Sequence, residues 1–426
     1  MADHAEASAE PQAETRPAPG PLAGIRVADC STVLAGPYAT MLLADLGAEV
    51  IKVEPPEGDG TRGWGPPWVG NEEDGTRTAA YYLSVNRNKR SIRLDLKTEA
   101  GREVLRRLVA KSDVLVENFR VGGLERLGFG DGVLKDLNPD LVHLAISGFG
   151  TGGPDANKPG YDFIVQATGG LMSITGARDD EGAGPEGGGP TKVGVAISDV
   201  VTGLFGAVSV LAGLLGRERK TAPGQRIDVS LLASTLAVLV NQAQNAFVSG
   251  KAPRRLGNAH PNIVPYETFH TADGELAVAV GSERQWPRFC EALALPQLAT
   301  DVRYATNGDR VERRAELLLL LARALEAKPT AHWLAVLDAA EIPCGPIYDI
   351  VAAFAQPGAK ALDMTVQVEH PVLGAMQQAG IPFRLAATPA SIRTAPPLLG
   401  EHSREILAEL GYTTAEIDSM AEAGVI

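Results

Sequence analysis

The chain has 426 residues, 45% hydrophobic and 21% charged, ordinary for a globular protein and long enough for two domains or one large one. Fifty-two acids against 39 Lys and Arg leave a formal charge of −13, which excludes a general nucleic-acid binder, whose phosphate contacts need clustered cations. The three cysteines, Cys30, Cys290 and Cys344, lie far apart and fit neither a zinc spacing nor a disulfide framework, so the expected compartment is the reducing cytoplasm.

Residues 1–20 hold four acids, three prolines and no large aliphatic residue except Met1, the composition of a disordered tail. From Gly24 the pattern is IRVAD as a short strand, YATMLLADL as a helix stopped by Gly47, and AEVIKVE as a second buried strand. Such a βαβ unit implies a parallel sheet. It recurs in SIRLDL, an amphipathic helix over Glu99–Ala110 with Thr98 as its cap, DVLVEN, and LVHLAIS, and the alternation indicates an α/β layer architecture.

The run Val193–Gly216 is nearly unbroken apolar sequence carrying one ionisable residue, Asp199. An isolated buried carboxylate is costly, so three readings compete: a membrane span, a buried helix with a capping acid, and a helix presenting a reactive carboxylate. A span is disfavoured because the run is unique, is punctuated by glycine and has no aromatic belt. RIDVSLL then reads as a strand leading into a helix. ETFHTADGELAVAVGS reads as a hairpin turning at Asp273-Gly274, and residues 307–340 read as helical, together a smaller α+β domain. At the C-terminus, EHSREILAEL ends at Gly411, and Thr413 with Glu416 forms a capping box.

Between Asn86 and Arg126 eleven cations face six acids, a local charge of +5. Arg102, Arg106, Arg107 and Lys111 have the spacing of a solvated helix face, whereas the polar loop NRNKRS suits a phosphate or carboxylate ligand. No GxGxxG follows the first strand, and no P-loop, HExxH or GxSxG motif is present, which removes the usual support for dinucleotide binding, zinc hydrolysis and triad chemistry. Carboxylates remain as the reactive candidates.

PLAGIRVADCSTVLAGPYATMLLADLGAEVIKVEPP, NRNKRSIRLDLKTEAGREVL, DVLVENF, GYDFIVQATGG, VGVAISD, IPCGPIYDI and PPLLGEH, in this order, resemble the class III CoA-transferases from about Pro21 to the C-terminus. TRGWGPPWVG, YYLSVNRNKRSI and IVPYETF are especially similar to the branch that uses succinyl-CoA and glutarate. The resemblance implies a Rossmann-like large α/β domain made of N- and C-terminal segments, a smaller α+β domain between them, and an interlocked homodimer. The corresponding boundaries are 21–225 for the first part of the large domain, 226–350 for a linker helix and the small domain, and 351–426 for the return.

It further implies that Asp199 is the nucleophile, taking first the acyl group and then CoA from an acyl-CoA, expected to be succinyl-CoA, and passing CoA to a short dicarboxylic acid such as glutarate. Position alone leaves Asp199 open as an N-cap. Acyl-CoA enters as substrate, with no permanently bound cofactor, no metal, no nucleic acid and no membrane as partner. CoA-binding roles fall on Val33, Leu34, Leu94, Lys97, Asn118, Phe119 and Arg126. Arg62, Arg87 and His260 are the cations placed to take a distal carboxylate, with Tyr161 and Asp162 as further substrate contacts; Asp162 is equally readable as a structural acid. The glycine-rich loop 179–190 is readable as an oxyanion-hole source or as a linker. Three departures from the formyl-CoA enzyme, Leu34 in place of a Gln, Pro55 in place of an Arg and no long glycine-rich lid between Ser249 and Ala272, argue against an oxalate-specific site. Racemases of the same family use a His where Tyr161 stands, so racemisation is the alternative reaction, and a non-catalytic acyl-CoA binder the alternative class.

Overall fold

The computed structural model describes residues 20–179 and 188–426. The expected tail and most of the 179–190 loop lie outside the described residues. The chain divides into two compact units: one holds the N-terminal part through Pro159, Asp199–Ser230 and Leu362–Ile426, and the other holds Gly160–Ser198 and Leu231–Ala361.

Six strands build the main sheet of the first unit: β1 (Arg26–Cys30), β2 (Glu49–Glu54), β3 (Lys89–Arg93), β4 (Val114–Glu117), β5 (Val142–Ser147) and β6 (Arg226–Ser230). They pair in the order β3-β2-β1-β4-β5-β6, all parallel. This is the doubly wound order, whose winding reverses between β1 and β4, so a crevice opens there at the carboxyl ends of the strands. The central strands β1, β4 and β5 are mostly apolar and buried because both faces are covered. Helix α1 (Ala35–Asp45) connects β1 to β2, and α2 (Glu99–Ala110) connects β3 to β4. The Thr98 hydroxyl accepts from the Gly101 N–H at the start of α2, as the sequence predicts.

On the α2 side, Leu105, Leu108, Ile92 and Leu115 share a core with Ile406, Leu407 and Ile417 from helices Ser403–Glu409 and Thr414–Glu422. The C-terminal segment thus completes the core begun by the N-terminal one. Its capping box at Thr413 and Glu416 forms as expected. On the opposite side lies α3 (Ile197–Glu218), the apolar run of the sequence. It is 22 residues long with a mean hydropathy of 1.8, enough to cross a membrane, yet it lies on the sheet. A Cβ at Gly206 would sit 3.0 Å from Leu144 Cδ2, and one at Gly213 would sit 2.9 Å from Val142 Cγ1, so glycine lets this helix approach closely.

In the second unit, strands Tyr266–His270 and Glu275–Ala279 form the expected antiparallel hairpin, and Cys344–Pro346 pairs with the other edge of Glu275–Ala279. Helices Arg314–Leu325 and Thr330–Ala339 contribute Leu317, Leu321, Trp333 and Leu337 to a core with Trp286 and Phe289. The expected domain boundaries need correction. Residues 160–198 belong to this unit rather than to the large domain, because helix Asp162–Thr168 packs against Leu231–Ala237, and the later junctions fall at 230 and 361 instead of 225 and 350. That packing is a long-range contact with no trace in local composition.

Candidate active site

The β1–α1 loop, Ser31–Leu34, forms one lip of the crevice, and the end of β4 forms the other. The Asn118 carboxamide joins them, its Oδ1 accepting from the Thr32 N–H (2.9 Å) and its Nδ2 donating to the Thr32 carbonyl (2.8 Å). Phe119 follows, half-buried, with its N–H on Glu117 (2.7 Å). Val33 adopts φ +70°, the left-handed region, which is costly for a β-branched residue by about 1–3 kcal/mol. Its N–H donates to Asp59 Oδ2 at 3.2 Å.

Beneath this loop lies a set of buried ion pairs. Lys52 Nζ is 3.0 Å from Asp59 and donates to the Ser31 carbonyl at 2.9 Å. Lys89 Nζ is 3.1 Å from Asp29, which also accepts from the Thr40 hydroxyl at 2.6 Å. Arg62 donates twice to Glu54, at 2.7 and 2.8 Å. Burial opposes the Asp29 charge, yet Lys89 and Lys52 outweigh it and hold the carboxyl at about 2. Burial pulls Lys89 down to about 8. Burial likewise opposes the Asp59 charge, and Lys52 overcomes it, leaving Asp59 below the ordinary carboxylate value.

Asp199 is the third residue of α3, in its first turn, where the free N–H groups and the helix dipole favour a carboxylate. It shares a helix face with Gly203, one turn on. A Cβ at Gly203 would meet the Ala35 carbonyl at 2.7 Å, and one at Gly206 would meet Ala39 at 3.6 Å, so α3 runs parallel to α1. One turn before Gly203 therefore corresponds to one turn before Ala35, which is the β1–α1 loop. Both helices bring their N-termini to the carboxyl edge of the sheet, and Asp199 stands level with Val33 and Leu34 at the crevice.

The remaining expected residues fall in different places. Lys97 and Arg126 are exposed cations on the first unit. Leu94 is 1% exposed and belongs to the core, so its side chain is not available to a ligand. Arg87 is a correction: it is 3% exposed, with its guanidinium bound to Asp45 (2.7 Å) and to the Ala379 carbonyl. The anion-binding reading of NRNKRS fails for the same reason. Asn88 binds Asp45, Ser391 and the N–H groups of Arg393 and Thr394; Lys89 pairs with Asp29; and Arg90 reaches Glu49, Glu405 and Glu409. The local positive charge is cancelled by acids far away in sequence. Arg62 lines a cavity of about 440 Å³ with Trp68 and Arg77, but a substrate carboxylate reaching it competes with Glu54.

In the second unit Tyr161 is 62% exposed. Asp162 acts as a brace, accepting from the Ser198 N–H and from Gln166 Nε2, both at 2.8 Å, while Gln166 Oε1 accepts from the Val193 N–H at 2.9 Å. It thereby ties down the segment that leads to Asp199. His260 Nδ1 accepts from the Asn262 N–H, and burial with nearby Arg314 lowers its pKa. Among the described residues no three His, Cys, Asp or Glu side chains converge as a metal site would require.

Lys52, Asp59 and Gln166 were missed in the sequence. Lys52 had a visible signal, a lysine inside the buried run EVIKVE, the same anomaly that marks Asp199.

The model of CoA-transferase family III matches residues 22–403. A succinate–glutarate CoA-transferase from Agrobacterium fabrum is 44% identical over 396 residues, covering 92% of this chain and 96% of that protein. A human succinyl-CoA:glutarate CoA-transferase is 40% identical over 408 residues, covering 95% and 90%. The crystal structure of a CaiB/BaiF family protein from Brucella suis superposes with a TM-score of 0.80 at 42% identity, covering 92% of this chain and all of that one.

Proposed function

Because this chain belongs to CoA-transferase family III and is a CoA-transferase, we propose that it moves CoA from succinyl-CoA to a short dicarboxylic acid such as glutarate, with Asp199 as the covalent carrier. The observation that carries the mechanism is the placement of Asp199 in the first turn of α3, level with the β1–α1 loop at the crevice. The substrate class rests on the relatives named for succinate and glutarate.

The Asp199 carboxylate attacks the thioester carbonyl; the C–S bond breaks, leaving a mixed anhydride and the CoA thiolate. The thiolate attacks the aspartyl carbonyl, the donor acid departs as a carboxylate, and CoA is held as an aspartyl thioester. The acceptor carboxylate attacks that thioester and expels the thiolate, which attacks the acceptor acyl carbonyl of the new anhydride and restores Asp199. One thioester replaces another, and a carboxylate already ionised at neutral pH needs no general base. Val33, Leu34, Asn118 and Phe119 form the acyl-CoA side of the crevice, with Lys97 and Arg126 supplying charge to phosphates. Within the first unit, Arg62 is the cation available to the distal carboxylate of the acceptor.

The active form in this reading is an interlocked homodimer. Support comes from large apolar side chains left exposed, Leu204, Phe205 and Val208 on α3 and Phe247 and Val248 beyond it. A monomer by light scattering would contradict it. Initial rates with succinyl-CoA and a panel of free acids test the substrate assignment. Glutarate and its near homologues should exceed oxalate and monocarboxylates in kcat/KM; a preference for oxalate overturns it.

A further inference from the structure

Buried ion pairs are commonly read as stability elements, but one here is coupled directly to a strained backbone at the crevice. The Asp59 carboxylate accepts from the Val33 N–H (3.2 Å), the Thr61 N–H (3.0 Å) and the Thr61 hydroxyl (2.8 Å). Lys52 Nζ lies 3.0 Å from it and donates onward to the carbonyl of Ser31, two residues before Val33. Both side chains are completely buried. The loop is therefore gripped at Ser31 and at Val33 by the two members of one pair.

A β-branched residue at φ +70° does not hold that conformation unaided. We propose that Asp59 and Lys52 are positioning residues for acyl-CoA binding, acting through Val33: the pair holds the β1–α1 loop in its left-handed form, which sets the loop's shape at the crevice. Neither touches the reacting atoms. The pairing explains why a lysine occupies the interior of β2, where it would otherwise be an uncompensated charge. It also explains the Asp59-Gly60-Thr61 turn, which aims one carboxylate oxygen at Thr61 and leaves the other for Val33 and Lys52. The inference rests on the reading of this loop as part of the acyl-CoA site.

The test is a double-mutant cycle between Asp59→Asn and Val33→Gly, read as KM for succinyl-CoA and KM for the acceptor acid, normalised to folded enzyme. An Asn at 59 directs an amide donor at Lys52 or Val33 and loses the grip, so KM for succinyl-CoA should rise about tenfold, the equivalent of about 1.4 kcal/mol, with the acceptor KM unchanged. Glycine adopts positive φ freely, so in the Val33→Gly background the same substitution should change KM for succinyl-CoA less than about threefold. Additive effects, or equal changes in both KM values, would overturn the positioning role. If neither Asp59→Asn nor Asn118→Ala, which unties the loop at Thr32, changes KM for succinyl-CoA, the assignment of the loop to the acyl-CoA site fails, and the proposal with it. Should Asp59→Asn not fold, thermal melting decides: Val33→Gly is expected to melt above Val33→Ala, and the reverse order would show that position 33 carries no strain to be held.

Discussion

At the scale of single residues, the crevice rests on buried charges that are balanced. Asp29, Asp59 and Glu54 face Lys89, Lys52 and Arg62, three against three. Removing one member strands the other in the interior, so Asp29→Asn should destabilise the fold by about 3–5 kcal/mol at pH 7. The pH dependence has a defined sign. Asp29 is held at about 2 in the folded protein against 3.8 ordinarily, so its contribution is complete above 3.8 and is lost as the pH falls through about 2. The difference in unfolding free energy between wild type and Asp29→Asn should therefore shrink as the pH falls from 3.8 toward 2. Denaturant melts showing the same difference at both ends would contradict the ionised pairing.

The element that matters most is α3. Its glycines are where α1 and the sheet come closest, and Gly203 is the tightest. An alanine there would place its Cβ 2.7 Å from the Ala35 carbonyl and 3.0 Å from the Tyr38 ring. Backbone cannot yield as a flexible side chain does, so the helix must shift and carry Asp199 with it. Gly203→Ala should lower stability by about 1–3 kcal/mol and reduce kcat. Gly216→Ala is the control, since its Cβ would meet nothing nearer than Thr221 Oγ1 at 3.5 Å, and helix propensity then favours it by about 1 kcal/mol. Thermal melts and kcat of the two variants check the contrast; equal behaviour would mean that close packing of α3 does not place Asp199. The period of α2, its Thr98 cap and the Thr413–Glu416 box were legible in the sequence because each depends on neighbours within four residues. The glycines of α3 were visible as residues, but their purpose depends on α1 and β5, which local pattern does not reveal.

For the whole molecule, the α/β class and the hairpin of the second unit could be read from alternating patterns, and the family resemblance marked Asp199. Arg87 and the NRNKRS loop show where such reading stops. A count of charge over forty residues suggested an anion site, whereas the balancing acids Asp45, Asp29, Glu405 and Glu409 come from elsewhere in the chain. The same non-locality hid the transfer of residues 160–198 to the second unit, since Asp162 and Gln166 find their partners about thirty residues away. In the proposed mechanism the whole arrangement, two helix N-termini brought to one crevice in a doubly wound sheet, presents a carboxylate to a thioester. The most direct measurement is mass spectrometry of the Asp199 peptide after the enzyme is incubated with succinyl-CoA and quenched with hydroxylamine. A hydroxamate on Asp199, absent without the thioester, is the expected result. An unmodified Asp199 in enzyme that is turning over, or a hydroxamate on another residue, would contradict it.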